Sequence, residues 1–186
     1  YLLIPPAAEP VTLAACKAGL RIDDTRFDAV LPGLIAAARQ VAEQETGRQL
    51  VEQTWRTELA DWPAIDGKIP VYRATAAAIT WWDGSAWQTL APSAYAYAPC
   101  GTGTALAPAL NTSWPTLGDV AIGPRVRIDL TAGVATAQAA TVDDCIKTFI
   151  IALVGQVVQT PELSATQAVQ SHPLLARLLD SARLWA

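Results

Sequence analysis

The side chains able to do chemistry are few and scattered. His172 is the only histidine, so a metal site of His/Cys type and a nuclease built on paired histidines are excluded, and a Ser-His-Asp hydrolase would have to run through that one ring. Its neighbours Ser171 and Pro173 mark a helix boundary, where a capping or solvent-exposed histidine is the expected role. Two aspartate pairs, Asp23-Asp24 and Asp143-Asp144, carry the oxygens a magnesium ion would need. Each stands where a helix should begin, and acids favour the positive end of a helix dipole without any metal. Three cysteines, Cys16, Cys100 and Cys145, lie far apart and in no CxxC spacing, which predicts buried free thiols rather than a disulfide framework or a zinc site. The run GTGT, Gly101 to Thr104, lacks the lysine and the following helix of a phosphate-binding loop and reads as a turn. These residues predict no catalytic group, no cofactor and no metal ligand.

The tryptophans are the other chemically conspicuous set. Six of the seven, Trp55, Trp62, Trp81, Trp82, Trp87 and Trp114, fall in the middle of the chain. Such density could stack sugars, but aromatic residues are also enriched in cores and interfaces, and no paired-carboxylate motif for cleaving a sugar lies nearby. Trp81 and Trp82 are adjacent in a strand pattern, so they point to opposite faces. One of them must therefore be covered by another element or another subunit, or stay exposed. Trp81, Trp82 and Trp87 are the candidates for a subunit interface, and a charged residue at Trp82 is expected to disturb assembly more than folding.

The elements that would hold these residues change period along the chain. Thr12 is placed to cap a short helix over Leu13 to Leu20, with Gly19 near its end. Asp23, Asp24 and Thr25 offer caps for a second helix, whose apolar positions Phe27, Val30, Leu31, Leu34, Ala38 and Val41 form one stripe. Pro32 and Gly33 interrupt it and predict a kink, or two shorter helices meeting near Leu31. Gly47 supplies the left-handed residue that ends the helix, and Val51, Gln53 and Trp55 alternate at once with Glu52 and Thr54. WRTEL from Trp55 and RVRIDL from Arg125 are strands with one wet face each. AAITWWDGSAWQTL is a hairpin turning at Asp83 and Gly84. From Ala91 to Gly123, Pro, Ala, Thr and Gly predominate, which predicts short strands and a long excursion. Thr141, Asp143 and Asp144 open an apolar helix running to Val158, stopped before Pro161. After Pro173, Leu174, Leu175, Leu178, Leu179, Ala182 and Trp185 form a stripe against Arg177, Asp180, Ser181 and Arg183. That terminal helix either packs on its own core or docks in a partner's groove.

A chain of 186 residues can bury a real core without staples. The longest apolar run, Phe149 to Val158, is about half the roughly 20 residues a membrane helix requires, and it contains Gln156. Tyr1 to Ala8 has no basic start and is broken by Pro5 and Pro6, unlike a secretory signal. Neither a membrane nor export is expected. The net charge of −4, with no basic run, opposes tight nucleic-acid binding.

Three stretches carry a family resemblance: IPPAAEPVTLAACKAGLRID at the start, IAAARQVAEQETGRQLVEQTW, and AGVATAQAATVDDCIKTFIIALVGQVV followed by HPLLARLLDSARLW. The more specific residues are Glu9-Pro10-Val11-Thr12-Leu13, Ala42-Glu43, Thr46-Gly47-Arg48 and Gln53-Thr54-Trp55, with Ser113-Trp114-Pro115 in the central excursion. Together they resemble the head-tail connector (adaptor) proteins of tailed bacteriophages. Pro32-Gly33 and the residues from Val154 to Gln159 depart from that pattern. The resemblance implies an α+β fold: an all-helical connector core, with helices near 12–20, 24–46, 141–158 and 173–185, and an inserted antiparallel β region. Its segments would be 1–50, 51–131 and 132–186, the last completing the core and docking on the portal. The implied role is structural, not enzymatic: a ring of twelve copies at the virion neck, between portal and stopper or tail-completion proteins, with packaged double-stranded DNA passing through. Before assembly the protein would sit in the bacterial host cytoplasm. Leu175, Leu178, Leu179 and Trp185, rimmed by Arg177 and Arg183, are the candidate portal contacts, and truncation after Ser171 is expected to leave a folded protein that no longer joins capsids. A head-completion stopper or tail terminator is the near alternative, and a glycan-binding module the distant one.

Overall fold

The computed structural model of the protein describes residues 1–64, 68–159 and 177–184. The chain divides into two units, one made of Tyr1–Pro5 with Glu52–Gly133 and one of Pro6–Val51 with the described residues from Val134 onward.

The helical unit follows from capping and periodicity. Helix α1 spans Leu13–Leu20; the Thr12 hydroxyl accepts from the Ala15 amide at 3.1 Å, and Arg21 ends the helix in a left-handed conformation. Helix α2 spans Leu31–Thr46 and stops at Gly47, whose φ of 73° lets its N–H reach the Glu43 carbonyl at 2.9 Å. A 3-10 stretch over Thr136–Thr141 leads to helix α3, Asp144–Gln159, whose first turn hangs from the Asp143 carbonyl. Leu31, Ile35, Ala38 and Ala42 of α2 meet Ile146, Phe149, Ile150 and Leu153 of α3, with Cys16 of α1 alongside, in one buried cluster. Gly155 sits inside α3 at a cost of about 1 kcal/mol against alanine. The reason is a close approach: a Cβ there would run into Leu20 of α1.

The second helix was expected over 24–46 and is shorter. Residues 24–30 make bends and turns, and α2 begins at Leu31 with Pro32 in its first turn. Proline is favoured there, because the N–H it lacks would have no helical partner anyway. The expected kink is therefore a helix start. Of the helix expected over 173–185, residues 177–182 form successive turns closed by bonds such as Ala182 N–H to Leu179 O at 2.9 Å, and residues 183–184 have no regular structure; residues 173–176 and Trp185 lie outside the described residues.

The β unit contains two antiparallel sheets. Strands β1 (Leu2–Ile4), β2 (Gln53–Leu59), β4 (Ala76–Trp82), β5 (Trp87–Thr89) and β8 (Val126–Ala132) form the first, in the order β1-β2-β8-β4-β5. Strands β3 (Lys68–Ile69), β6 (Tyr95–Cys100) and β7 (Gly103–Pro108) form the second, in the order β3-β7-β6. Ile79, Val126, Ile128 and Leu130 of the first pack with Ile69, Tyr95 and Leu106 of the second in a separate buried cluster.

This corrects the expected fold class. The protein is α+β, but among the described residues eight strands in two sheets with a hydrophobic core of their own are not a region inserted into an all-helical core. The sheet also starts ahead of the first helix, since Leu2 and Ile4 pair with Trp55 and Thr54 of β2. Pro5 and Pro6 dominate the opening stretch as sequence. The strand before them forms because β2 offers it an open edge.

Candidate functional site

The outward face of the five-stranded sheet is built by alternation. On β2 and β8, Arg56 stands opposite Asp129 and Glu58 opposite Arg127. The first pair is bidentate, with both N···O distances 2.7 Å, and the second closes at 3.0 Å. Asp129 thereby holds the Arg56 guanidinium still more firmly protonated than usual. The Arg127 guanidinium also lies 4.0 Å from the Trp87 ring centroid. These charges neutralise one another within the sheet. Next to them β4 turns Ala76, Ala78 and Thr80 outward, with Ala76 and Ala78 exposed, and Trp82 closes the row at the strand's end.

Tryptophans fasten the excursion after β7 to this sheet. Trp62 stacks on Trp114 with centroids 4.6 Å apart and planes 6° from parallel, and its indole N–H donates to the Pro115 carbonyl at 2.8 Å. Trp82 meets Trp87 edge-on at 5.8 Å, and its indole N–H donates to the Asp119 carbonyl at 3.3 Å. The Gly118 N–H donates to the Trp82 carbonyl at 2.9 Å. No other residue fits at Gly118, because a Cβ would land on the backbone of Gly84. Gly84 belongs to the β4–β5 turn, where the Asp83 carboxylate accepts from the Ser85 and Ala86 amides, at 2.7 and 2.8 Å, and from the Gln88 amide at 2.6 Å. Those bonds hold the Asp83 carboxyl well below the usual carboxylate range.

Other side chains of the same excursion are bare. Leu110 is 91% exposed, Ile122 94% and Val120 41%. Between Leu110 and Pro124 the only ionisable residue is Asp119. Sequence reasoning missed these side chains. The Pro, Gly and Thr around them suggest a flexible loop, whereas the tryptophan and glycine contacts fix it.

The helical unit offers two polar or concave features. The Arg39 side chain is 4% exposed, donates to Glu9 at 2.9 Å and to Glu43 at 2.6 Å, and the other Glu43 oxygen accepts from the Leu50 amide at 2.9 Å. Burial raises the Glu9 carboxyl by more than Arg39 lowers it. An apolar groove lies between α2 and α3, lined by Leu34, Ala37 and Ala38 and by Leu153, Val154 and Val157.

The residues singled out in the sequence are placed as follows. Trp81 packs against the β core, while Trp82 and Trp87 are half-buried under the chain's own excursion and Arg127. Leu179 is fully buried in the helical core, Leu178 packs against it, and Arg183 pairs with Glu45 at 2.6 Å and Asp180 at 3.2 Å. Arg177 is exposed. Leu175, Trp185 and His172 lie outside the described residues. Truncation after Ser171 would thus strip Leu179 and Ala182 from the helical core, so the expected folded truncation product does not follow. Cys16 is buried and Cys145 half-buried, but Cys100 is exposed at the end of β6. Of GTGT, Gly101 and Thr102 form the β6–β7 turn while Gly103 and Thr104 open β7, and the Thr104 hydroxyl donates inward to the Val71 carbonyl at 2.6 Å. Asp24, Asp143 and Asp144 pair with Arg26, Arg48 and Lys147. Among the described residues no group of three or more His, Cys, Asp or Glu could hold a metal ion, and no helix is long and apolar enough to cross a membrane.

Residues 10–79 match the family of phage gp6-like head-tail connector proteins. The match begins beside the Thr12 cap, runs through α1 and α2, and ends in β4, so the resemblance carried by the first two sequence blocks is borne out over that stretch. Solved structures are similar over the full chain. One is the neck of an empty GTA particle computed with C6 symmetry, at a TM-score of 0.75 and 20% identity, covering 100% of this chain and 96% of that one. A second is the virion of a native gene transfer agent (GTA) particle, at 0.73 and 20%, with the same coverage. A third is the neck of a native GTA particle computed with C12 symmetry, at 0.70 and 21%, again covering 100% and 96%. At such identities the likeness is one of fold. No match is found among curated proteins.

Proposed function

We propose that the protein is a structural head-tail connector (adaptor), a ring subunit in the neck of a tailed phage or phage-like particle. One observation carries this reading: the fold of a neck-particle chain spans the whole molecule while residues 10–79 match the connector family. The ring would have twelve copies, an arrangement compatible with both C12 and C6 symmetry, and it would join the portal protein on one side to stopper or tail-completion proteins on the other. Double-stranded DNA would pass through without sequence-specific contacts, as the acidic balance of the chain suits. Docking on the portal belongs to the C-terminal stripe in this proposal, through exposed Arg177 together with Leu175 and Trp185; Leu179 serves the chain's own core.

Co-expression with portal and tail-completion proteins, followed by electron microscopy of purified particles, tests the proposal. A ring of this mass at the junction of head and tail is the expected result. Its absence from complete particles would refute the assignment.

A further inference from the structure

We infer that the excursion after β7 and the outward face of β4 are the two halves of one contact between neighbouring copies. Leu110, Val120 and Ile122 of one copy would lie across Ala76, Ala78 and Thr80 of the next. The inference rests on the ring assignment and deepens it by naming the surfaces that meet.

A closed ring needs two different, mutually complementary patches on every copy, because each contact is head-to-tail. Both patches are on one chain, and both consist mainly of uncharged side chains. The excursion offers exposed aliphatic side chains, and the strand offers a strip of small residues where Ala76 and Ala78 are exposed, bounded at one end by Trp82. Both sides carry few charges. Asp119 is the lone ionisable residue of the excursion from Leu110 to Pro124, and the charges beside the strip are already matched as Arg56 with Asp129 and Arg127 with Glu58. That neutrality leaves nothing for DNA or an anionic surface to grip.

The excursion is also pre-ordered for docking. Trp62, Trp82 and Gly118 tie the excursion to its own unit between Trp114 and Asp119, so presenting Leu110 and Ile122 requires little further loss of freedom. An isolated copy leaves both of them over nine-tenths exposed, the state expected of a surface that a neighbour covers.

The test uses the full chain with Cys100→Ser as background, to remove the exposed native thiol. Ile122→Cys combined with Ala78→Cys should give, under mild oxidation of assembled rings, a ladder of disulfide-linked multimers that neither single variant gives and that the unassembled protein does not form. Separately, Ile122→Asp should lower ring yield by about tenfold or more, the size typical of a central interface residue, with an unchanged melting transition. Ile122→Asp combined with Ala78→Lys should restore much of it. Rings that form normally with Ile122→Asp and give no ladder with the double cysteine variant would overturn the inference and leave the connector assignment standing. Normal rings that fail only to join portal or tail parts would assign the excursion to another partner and likewise overturn it. Wild-type protein absent from particle necks would remove both readings together.

Discussion

Arg39 shows what a single buried charge does here. Its guanidinium is held by Glu9 and Glu43, and Glu43 in turn holds the Leu50 amide, so one side chain ties the approach to α1, the body of α2 and the chain leaving α2. Arg39→Ala would strand two partly buried carboxylates and should cost about 3 kcal/mol in urea unfolding. Replacing all three by Met, Gln and Gln should cost distinctly less, because the penalty comes from uncompensated charge rather than from loss of the pair itself. Asp83 gives a prediction in pH. Its folded-state pKa lies below the ordinary 3.8, so the stability it contributes is present above about pH 4 and disappears as pH falls below that value. Asp83→Asn keeps an oxygen to accept the turn amides but cannot titrate. The melting temperature of that variant should fall less steeply than wild type between about pH 4 and pH 2; parallel curves would show that Asp83 contributes no acid sensitivity.

At the scale of elements, the tryptophan stack is what turns a glycine- and proline-rich stretch into a fixed surface. Trp62→Phe retains an aromatic face for Trp114 but loses the bond to Pro115, for an expected loss of about 1 kcal/mol. Trp62→Ala removes the stack as well, and limited proteolysis should then cut the segment between Leu110 and Pro124 at least about tenfold faster than in wild type. Equal cutting rates would mean that the contacts at Trp82 and Gly118 suffice. Much of the element pattern was legible beforehand. Thr12, Gly47 and the Asp83-Gly84 turn are local signals, and local bonds decided them. Alternation in WRTEL and RVRIDL marked two strands that pair with each other throughout. The start of α2 was misplaced because a stripe of apolar residues continues through Phe27 and Val30 although the backbone there is not helical. Strand β1 was invisible for a different reason: three residues before two prolines carry no period, and only the distant edge of β2 gives them a partner. The exposure of Leu110 and Ile122 is likewise set by what surrounds them and not by their own neighbours in sequence.

At the scale of the molecule, the C-terminal residues belong to the structure of the helical unit. Leu179 and Ala182 are buried there, and the Leu184 amide donates to the Thr46 carbonyl at 3.0 Å. Ending the chain after Ser171 should therefore lower the helical unit's thermal stability, by about 3 kcal/mol for the lost leucine alone, and a circular-dichroism melt would register it. An unshifted melt would mean that Leu179 is dispensable and would return the stripe to a purely external role. The sequence made own-core packing and external docking equally open for this stripe, because an amphipathic face does not say whose surface it covers. A further consequence lies in the pairing of Gln53 with Ala132 across β2 and β8, and in the way α1 and α2 wait for α3 to complete their cluster. On the ribosome, neither core can close until most of the polypeptide has emerged, which makes folding slow to begin and all but simultaneous when it does. A nascent fragment would therefore lack finished contact surfaces, so interrupted translation products should be poor competitors for places in an assembling particle.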